Sequence, residues 1–334
     1  MKLAVDAMGG DRAPQVIVEG ALSAVQTWKD LEIVLVGDEQ RIQPFLKAGH
    51  SRIHIRHTKE WITAEDEPVK SIRRKKEASM VLCGEMVKNG EAEALISAGN
   101  TGALMATALL IVGRMAGIER PALASILPTL AGKSVMLLDS GANMDASPQH
   151  LLDYAEMGYL YMNRVQHIDK PRIGLLNVGT EAAKGNQLTK QAYPLLEASD
   201  RIRFVGNIEA RDLVSGEVDV VVCDGFIGNV VLKFYEGIGS GLLRELKSTF
   251  LANWRTKLGA LLVKQEFKRM QKKFDYAEYG GAPMLGIEGI CIKAHGSSNA
   301  RAIHNAIGQA YECVKGNVVE TIRELKHMGD DEPK

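Results

Sequence analysis

Six short apolar runs along the chain each end in a polar, glycine-bearing turn. Residues 3–6 lead into Ala7-Met8-Gly9-Gly10-Asp11, residues 94–97 into Gly99-Asn100-Thr101-Gly102, and residues 135–139 into Ser140-Gly141-Ala142-Asn143. Further on, residues 173–177 lead into Val178-Gly179-Thr180-Glu181, residues 202–205 into Gly206-Asn207-Ile208-Glu209, and residues 218–224 into Gly225-Phe226-Ile227-Gly228-Asn229. Apolar runs of this length, each followed by a helix-periodic segment, predict parallel strands, and open parallel sheets take ligands beyond their carboxyl ends. Glycine lets backbone N–H groups approach an anion, and helix starts aim further N–H groups at it. The pattern therefore predicts an α/β protein whose strand ends build a polar cradle for phosphate.

The remaining periodicity fits this plan. Pro14 stands where a helix can begin, and Val16, Ile17, Ala21, Leu22 and Val25 follow at helical spacing. Residues 31–36 form a second strand candidate ending at Gly37-Asp38, and the alternation over 52–57 predicts an edge strand. Helices are expected at 77–89, 102–116, 148–165, 185–198 and 229–247. No linker or repeat divides the chain, so residues 1–328 are expected to form a single catalytic unit, with a helical excursion at 240–280 and a disordered tail at 329–334.

Composition narrows the chemistry. In 334 residues, 41 basic side chains balance 41 acidic ones, which gives no global pull towards nucleic acid. Cys83, Cys223, Cys291 and Cys313 lack CxxC spacing and sit in apolar contexts, the pattern of a reduced cytosolic protein. An aspartate at position 6 comes too early for a secretory signal, and no apolar run approaches the length of a membrane span. GxGxxG, HExxH and GxSxG are all absent, and Ala131-Gly132-Lys133-Ser134 lacks the first glycine of a P-loop and reads as a turn. The histidines show no metal-ligand spacing, and Cys223, after Val220-Val221-Val222, reads as an inert buried thiol.

Taken together, the segments Val5-Asp6-Ala7-Met8-Gly9-Gly10-Asp11, Ser97-Ala98-Gly99-Asn100-Thr101-Gly102-Ala103-Leu104-Met105, Asn177-Val178-Gly179-Thr180-Glu181, Asp224-Gly225-Phe226 and Lys293-Ala294-His295-Gly296-Ser297-Ser298 resemble the signatures of bacterial phosphate acyltransferase, the acyl-carrier-protein:phosphate acyltransferase of phospholipid synthesis. The likeness runs from residue 1 to about residue 327 without a departing motif. It implies a three-layer α/β/α sandwich with a largely parallel sheet, similar to isocitrate and isopropylmalate dehydrogenases and to phosphotransacetylase. It also implies a homodimer with no metal and no organic cofactor. The implied reaction makes acyl-phosphate from long-chain acyl-carrier protein and inorganic phosphate, and the product feeds glycerol-3-phosphate acylation.

Phosphate is itself a nucleophile, so the protein need only neutralise charge, orient the partners and donate hydrogen bonds to the developing oxyanion. Lys184 is the first candidate to bind phosphate or polarise the thioester carbonyl, although a lysine before a helix can equally stand in solvent. Asp224 and His295 are the other catalytic candidates, Asp224 either capping a turn or orienting and accepting a proton, and His295 either in a capping turn or facing the anion. Asp11 reads as a cap. The candidate phosphate grip comprises Asp6, Gly9, Gly10, Asn100, Thr101, Gly102, Asn143, Asn177, Gly179, Thr180, Asn186, Asn207, Gly225, Asn229, Gly296, Ser297 and Ser298, with Ser297 or Ser298 also able to cap the last helices.

Residues 241–274 carry nine lysines and arginines against two glutamates, with apolar residues at helical spacing. Such a basic amphipathic segment suits an anionic membrane, an acidic carrier protein or a dimer interface. Phe250, Leu251, Trp254, Lys257, Leu258, Leu261, Leu262 and Lys264 are the contact candidates, which makes the expected location the cytoplasm with peripheral association to the inner face of the cell membrane. A second basic cluster, Arg73-Arg74-Lys75-Lys76, either pairs with Glu65-Asp66-Glu67 or docks the carrier. The rival readings are a phosphate acetyl- or butyryltransferase that uses coenzyme A, and a non-catalytic membrane-associated scaffold.

Overall fold

A computed structural model describes residues 1–46, 50–274 and 280–330. The strands are β1 (Lys2–Asp6), β2 (Glu32–Gly37), β3 (Ile53–His57), β4 (Ala94–Ser97), β5 (Ala122–Pro128), β6 (Ser134–Leu138), β7 (Arg172–Asn177), β8 (Arg203–Glu209), β9 (Val220–Val222), β10 (Ala282–Leu285) and β11 (Ile290–Lys293). The helices are α1 (Gln15–Thr27), α2 (Glu39–Ile42), α3 (Pro68–Arg74), α4 (Ser79–Lys88), α5 (Thr101–Thr107), α6 (Pro148–Arg164), α7 (Gln187–Ala198), α8 (Gly225–Leu251), α9 (Trp254–Phe274), α10 (Ala300–Lys315) and α11 (Val318–Asp330).

All eleven strands join one sheet in the order β3-β2-β1-β4-β11-β10-β5-β6-β9-β7-β8. Pairing is parallel from β3 to β11 and again from β6 to β8, whereas β10 and β5 sit between them in antiparallel contacts. Three reversals of sense therefore separate the two parallel halves, and their carboxyl ends leave the sheet in opposite senses. Helices cover both faces, which gives three layers. Val18 and Ala21 of α1, Tyr154 and Tyr161 of α6, and Ile303 and Ile307 of α10 pack on one face. On the other face, α4 and α5 cover the amino half through Met80, Leu82 and Leu104, and Val231, Leu232 and Tyr235 of α8 cover the carboxyl half. Strands buried on both sides read as unbroken apolar runs, which is why β1, β4, β6, β7 and β9 were legible.

Three strands had no such signal. β5 starts just after Pro121 and ends at Pro128, and β10 and β11 are four-residue pieces that begin close to glycines. The segment 206–209, expected to be a turn, lies within β8, where Asn207 pairs with Leu175. Gly206, at φ +97°, marks the register shift between Ile173 and Leu175, a bulge rather than a chain reversal. Helix α10 is capped by Asn299, which accepts from the Ala302 N–H at 2.9 Å, and not by Ser297 or Ser298. The expected 131–134 turn closes the β5–β6 hairpin, with the Thr129 N–H donating to Lys133. The excursion is a hairpin of α8 and α9. Helix α11 runs on to Asp330, two residues into the expected tail, and 331–334 lie outside the described residues.

One buried ion cluster ties the end of the chain to the core. Lys326 Nζ lies 2.8 Å from Asp153 Oδ1 and 2.6 Å from Glu156 Oε2, with both carboxylates on α6 and almost fully buried. Burial pulls the Lys326 amine down, but the two carboxylates outweigh it and hold the amine above its ordinary range. Removing the cation leaves two buried anions, with Arg201, 3.7 Å from Glu156, as a partial substitute. We expect Lys326→Met to lower stability by roughly 3–5 kcal/mol in urea denaturation.

Candidate active site

In the carboxyl half, β6, β9, β7 and β8 are parallel neighbours, so the loops that follow them emerge side by side. Asp139, fully buried just beyond β6, organises the first of these loops. Its carboxylate accepts from the N–H groups of Leu123 at 3.1 Å, Gly141 at 3.0 Å, Ala142 at 2.9 Å and Asn143 at 2.6 Å. Burial pushes the Asp139 carboxyl up, against the pull of those N–H groups. The loop then receives the start of α8. The Gly225 N–H donates to the Asn143 carbonyl at 2.8 Å, and a Cβ at Gly225 would lie 2.8 Å from Asp139 Oδ2. Asp224 caps α8, its Oδ1 accepting from the Ile227 N–H at 2.9 Å. One turn on, the Asn229 side chain packs against Gly141 and has no hydrogen-bond partner among the described residues.

The loop after β7 carries Lys184. Asn177 holds it at both ends, donating to the Lys184 carbonyl at 3.1 Å and accepting from the Val178 N–H at 2.8 Å. Asn207 donates from β8 to the Glu181 carbonyl at 2.8 Å, and its own Oδ1 is buried without a partner. Asn186 caps α7 through the Thr189 N–H. The Lys184 side chain lies along Gly179 and is exposed, with no ion pair among the described residues. Gly179 and Thr180 belong to the same loop.

The amino half builds a second polar platform. Asp6, at the end of β1 and 2% exposed, accepts from the Ser79 and Ser97 hydroxyls at 2.6 Å each and from the Met8 N–H at 3.2 Å. Burial pushes this carboxyl up as well, opposed by those donors. Gly9 permits the close approach, since a Cβ there would stand 2.6 Å from both Asp6 Oδ2 and the Gly99 N. Gly10, at φ +106°, reaches the turn after β11, where the Asp11 N–H donates to Gly296 at 2.9 Å and Arg12 donates to the Ser297 and Ser298 carbonyls. His295 Nδ1 lies 2.8 Å from the Ser297 hydroxyl, and Ser298 Oγ is buried without a partner. Asn100 caps α5 through the Ala103 N–H and donates to the carbonyls of Thr63, Ala64 and Asp66. Thr101 and Gly102 open α5, with Gly102 packed on Pro68.

The sequence-predicted residues thus gather into two platforms. Asn143, Asn177, Gly179, Thr180, Lys184, Asn186, Asn207, Asp224, Gly225 and Asn229 lie at the carboxyl edge of one half. Asp6, Gly9, Gly10, Asn100, Thr101, Gly102, His295, Gly296, Ser297 and Ser298 lie at the carboxyl edge of the other, and none of the hydrogen bonds described above links the two groups. Asn100 and Asn177 spend their amide N–H groups on loop carbonyls, and Asn186 uses only its side-chain oxygen to cap α7, while Lys184 and Asn229 keep donors to offer. Asp139 was missed. It closes an apolar run and reads there as a strand terminus, and only its glycine-rich sequel, Ser140-Gly141, hints at a carboxylate held by backbone N–H groups. Cys223 is buried and its thiol is pushed well above the usual range, chiefly by burial, with Asp224 and Asp139 adding to it.

On the hairpin, Leu251, Trp254, Leu258, Leu261 and Leu262 are exposed, Leu262 by 85%. Lys257 and Lys264 are exposed beside them. Phe250 is half-buried and meets Phe267 edge to face, with ring centroids 5.4 Å apart, so it braces the hairpin instead of lining its outer surface. No helix among the described residues is long and apolar enough to cross a membrane. In the other basic cluster, Lys75 pairs with Asp66 at 2.6 Å.

A family described as fatty acid synthesis protein matches residues 1–321. A protein of Staphylococcus aureus named phosphate acyltransferase is 51% identical, over 97% of this chain and 98% of its own length. A Listeria welshimeri protein of the same name is 52% identical, over 97% of this chain and 96% of its own length. The chain belongs to the phosphate acyltransferase family. It is accordingly an acyltransferase. The fold has a solved counterpart in a phosphotransacetylase from Streptococcus pyogenes, at 15% identity and TM-score 0.62, covering 96% of this chain and 94% of that one. The phosphate acyltransferase fold therefore shares its α/β plan with phosphotransacetylase, as the sequence resemblance implied.

The ordering role of Asp139 at this edge has a direct test. We expect Asp139→Ala, which leaves the N–H groups of Leu123, Gly141, Ala142 and Asn143 without their acceptor, to cost about 3 kcal/mol in chemical denaturation, and Asp139→Asn to cost less.

Proposed function

We propose that this protein transfers a long-chain acyl group from an acyl-carrier-protein thioester to inorganic phosphate, giving acyl-phosphate for phospholipid synthesis. The observation that carries this reading is half-identity, over nearly the whole chain, to proteins named phosphate acyltransferase. Phosphate lies at the carboxyl edge of β6, β9 and β7, where Lys184 supplies positive charge and Asn229, with the start of α8, supplies neutral donors. A phosphate oxygen attacks the thioester carbonyl carbon. The C–O bond forms as the carbonyl becomes an oxyanion, the C–S bond then breaks, and the departing thiolate takes up the proton that phosphate loses. Donors already in place at that oxyanion stabilise it without reorganisation. No covalent acyl-enzyme is needed, and the one thiol near this edge, Cys223, is buried and protonated. Asp224 is spent on its cap, which supports an orienting role over proton transfer.

The chain acts as a homodimer in the cytoplasm, with the α8–α9 hairpin touching the inner face of the membrane and its product passing to a glycerol-3-phosphate acyltransferase. Exposed leucines and Trp254 flanked by Lys257 and Lys264 support that contact, since apolar insertion and cation attraction to anionic lipid add together.

Purified protein, given phosphate and either acyl-carrier-protein thioester or acyl-coenzyme A, should release acyl-phosphate and free thiol with the carrier-protein donor strongly preferred. Preference for coenzyme A would replace the donor assignment. Lys184→Ala should lower kcat about 100-fold with little change in melting temperature. Near-normal turnover by this variant would remove Lys184 from the site. In sedimentation with anionic vesicles, replacing Lys257 and Lys264 by Gln should weaken binding by about 2 kcal/mol, near 1 kcal/mol for each charge. Unchanged binding would end the electrostatic part of the membrane reading.

A further inference from the structure

Strands β1, β4 and β11 are adjacent and parallel, and their register aligns Val5 with Ile96 and Ser97 with Lys293. One residue beyond the first pair, Asp6 falls level with Ser97, so Asp6, Ser97 and Lys293 stand side by side on one face of the sheet, at its carboxyl edge. It is the face covered by α4, whose Ser79 hydroxyl meets Asp6. Each hydrogen-bond donor described for Asp6 is neutral: two hydroxyls and a backbone N–H. A buried carboxylate so held still lacks a countercharge, and Lys293 is the cation in register with it. Lys293 is itself largely enclosed, and its ammonium donates to the Ala294 carbonyl at the base of the turn that carries His295, Gly296 and Ser297. That turn is joined to the Gly9-Gly10-Asp11 turn through the Asp11 N–H and Gly296.

We propose that Lys293 is a positioning residue of the acyl transfer, its ammonium countering Asp6 across Ser97 and holding the two joined turns of the amino-half platform through the Ala294 carbonyl. The proposal rests on the function given above and adds a second lysine to the machinery.

Burial pulls the Lys293 amine down to about 8, against the opposing pull of Asp6 and Asp11. The charged form therefore prevails below that pH and is lost as pH rises through it. Asp6 on β1 and Asp11 in the following turn act on it; Cys291, two residues back on β11, shares its face, Cys83 on α4 lies near Asp6, and His295 follows in its own turn. Burial pushes the Cys83 thiol well above its usual range and the Cys291 thiol to about 12, so neither titrates near the pH at which Lys293 does.

The test is initial-rate kinetics of acyl-phosphate formation from acyl-carrier-protein thioester, as a function of pH, for wild type, Lys293→Arg, Lys293→Met and His295→Gln. Wild type and His295→Gln should lose kcat as pH rises through about 8. Lys293→Arg, which keeps its charge, should hold its kcat through that range. Lys293→Met should lack the alkaline limb and show kcat lowered at least about tenfold, with KM for phosphate within about twofold of wild type. An unchanged alkaline limb in Lys293→Arg, or wild-type kcat in Lys293→Met, overturns the proposal. If Lys293→Met does not fold, the Lys293→Arg profile decides alone. A wild type that forms no acyl-phosphate at any pH refutes the parent function instead, so the two failures are distinct.

Discussion

A carboxylate withdrawn from water must be met by donors, and this constraint shapes both ends of the sheet. Asp6 and Asp139 each sit where the first strand of a parallel half ends, or just beyond it, and each is buried. Asp6 draws in hydroxyls from β4 and α4, while Asp139 draws in the backbone of the loop that follows it. The glycines beside them are the price of that closeness, because a side chain at Gly9 or Gly225 would collide with the carboxylate. Once these anions are satisfied, the loops around them have little freedom left. Both carboxyls remain pushed up by burial, so the arrangement spends stability on order at the two polar edges.

The division of labour follows from the sheet. Its two parallel halves run in opposite senses on either side of β10 and β5, so each half presents its own polar edge. A phosphate that attacks a thioester directly must meet it within contact distance, so the proposed reaction belongs to one of these edges. The edge bearing Lys184 and Asn229 offers a cation and an uncommitted amide, which suits a phosphate. The other edge, built around Asp6 and the joined turns, carries carboxylates that would repel a free anion.

Much of this was legible in the sequence because strands buried on both faces leave unbroken apolar runs and the close-packed turns at their ends need glycine. The resemblance carried by Val5 to Asp11, Ser97 to Met105 and Lys293 to Ser298 pointed to the family that the relatives then showed. Other features were hidden for physical reasons. Strands β5, β10 and β11 are short or bounded by proline and glycine, the marks of a loop. Gly206-Asn207 looks like a turn, yet it is a bulge within β8, because a glycine at positive φ serves either purpose. Among the polar residues, sequence shows which side chains own donors but not which have already spent them. Asn100 and Asn177 have committed their amide N–H groups to loop carbonyls, whereas Asn229 has not, and only tertiary structure separates these cases. Asp139 and Lys293, each at or just past the end of an apolar strand, carry no local signal that sets them apart from a strand terminus.

The most direct test of this account is a crystal structure of the protein with inorganic phosphate bound. The account predicts phosphate at the carboxyl edge of β6, β9 and β7, within hydrogen-bond reach of Lys184 Nζ and Asn229 Nδ2. Phosphate seated on the Asp6 platform, or away from both edges, would contradict it.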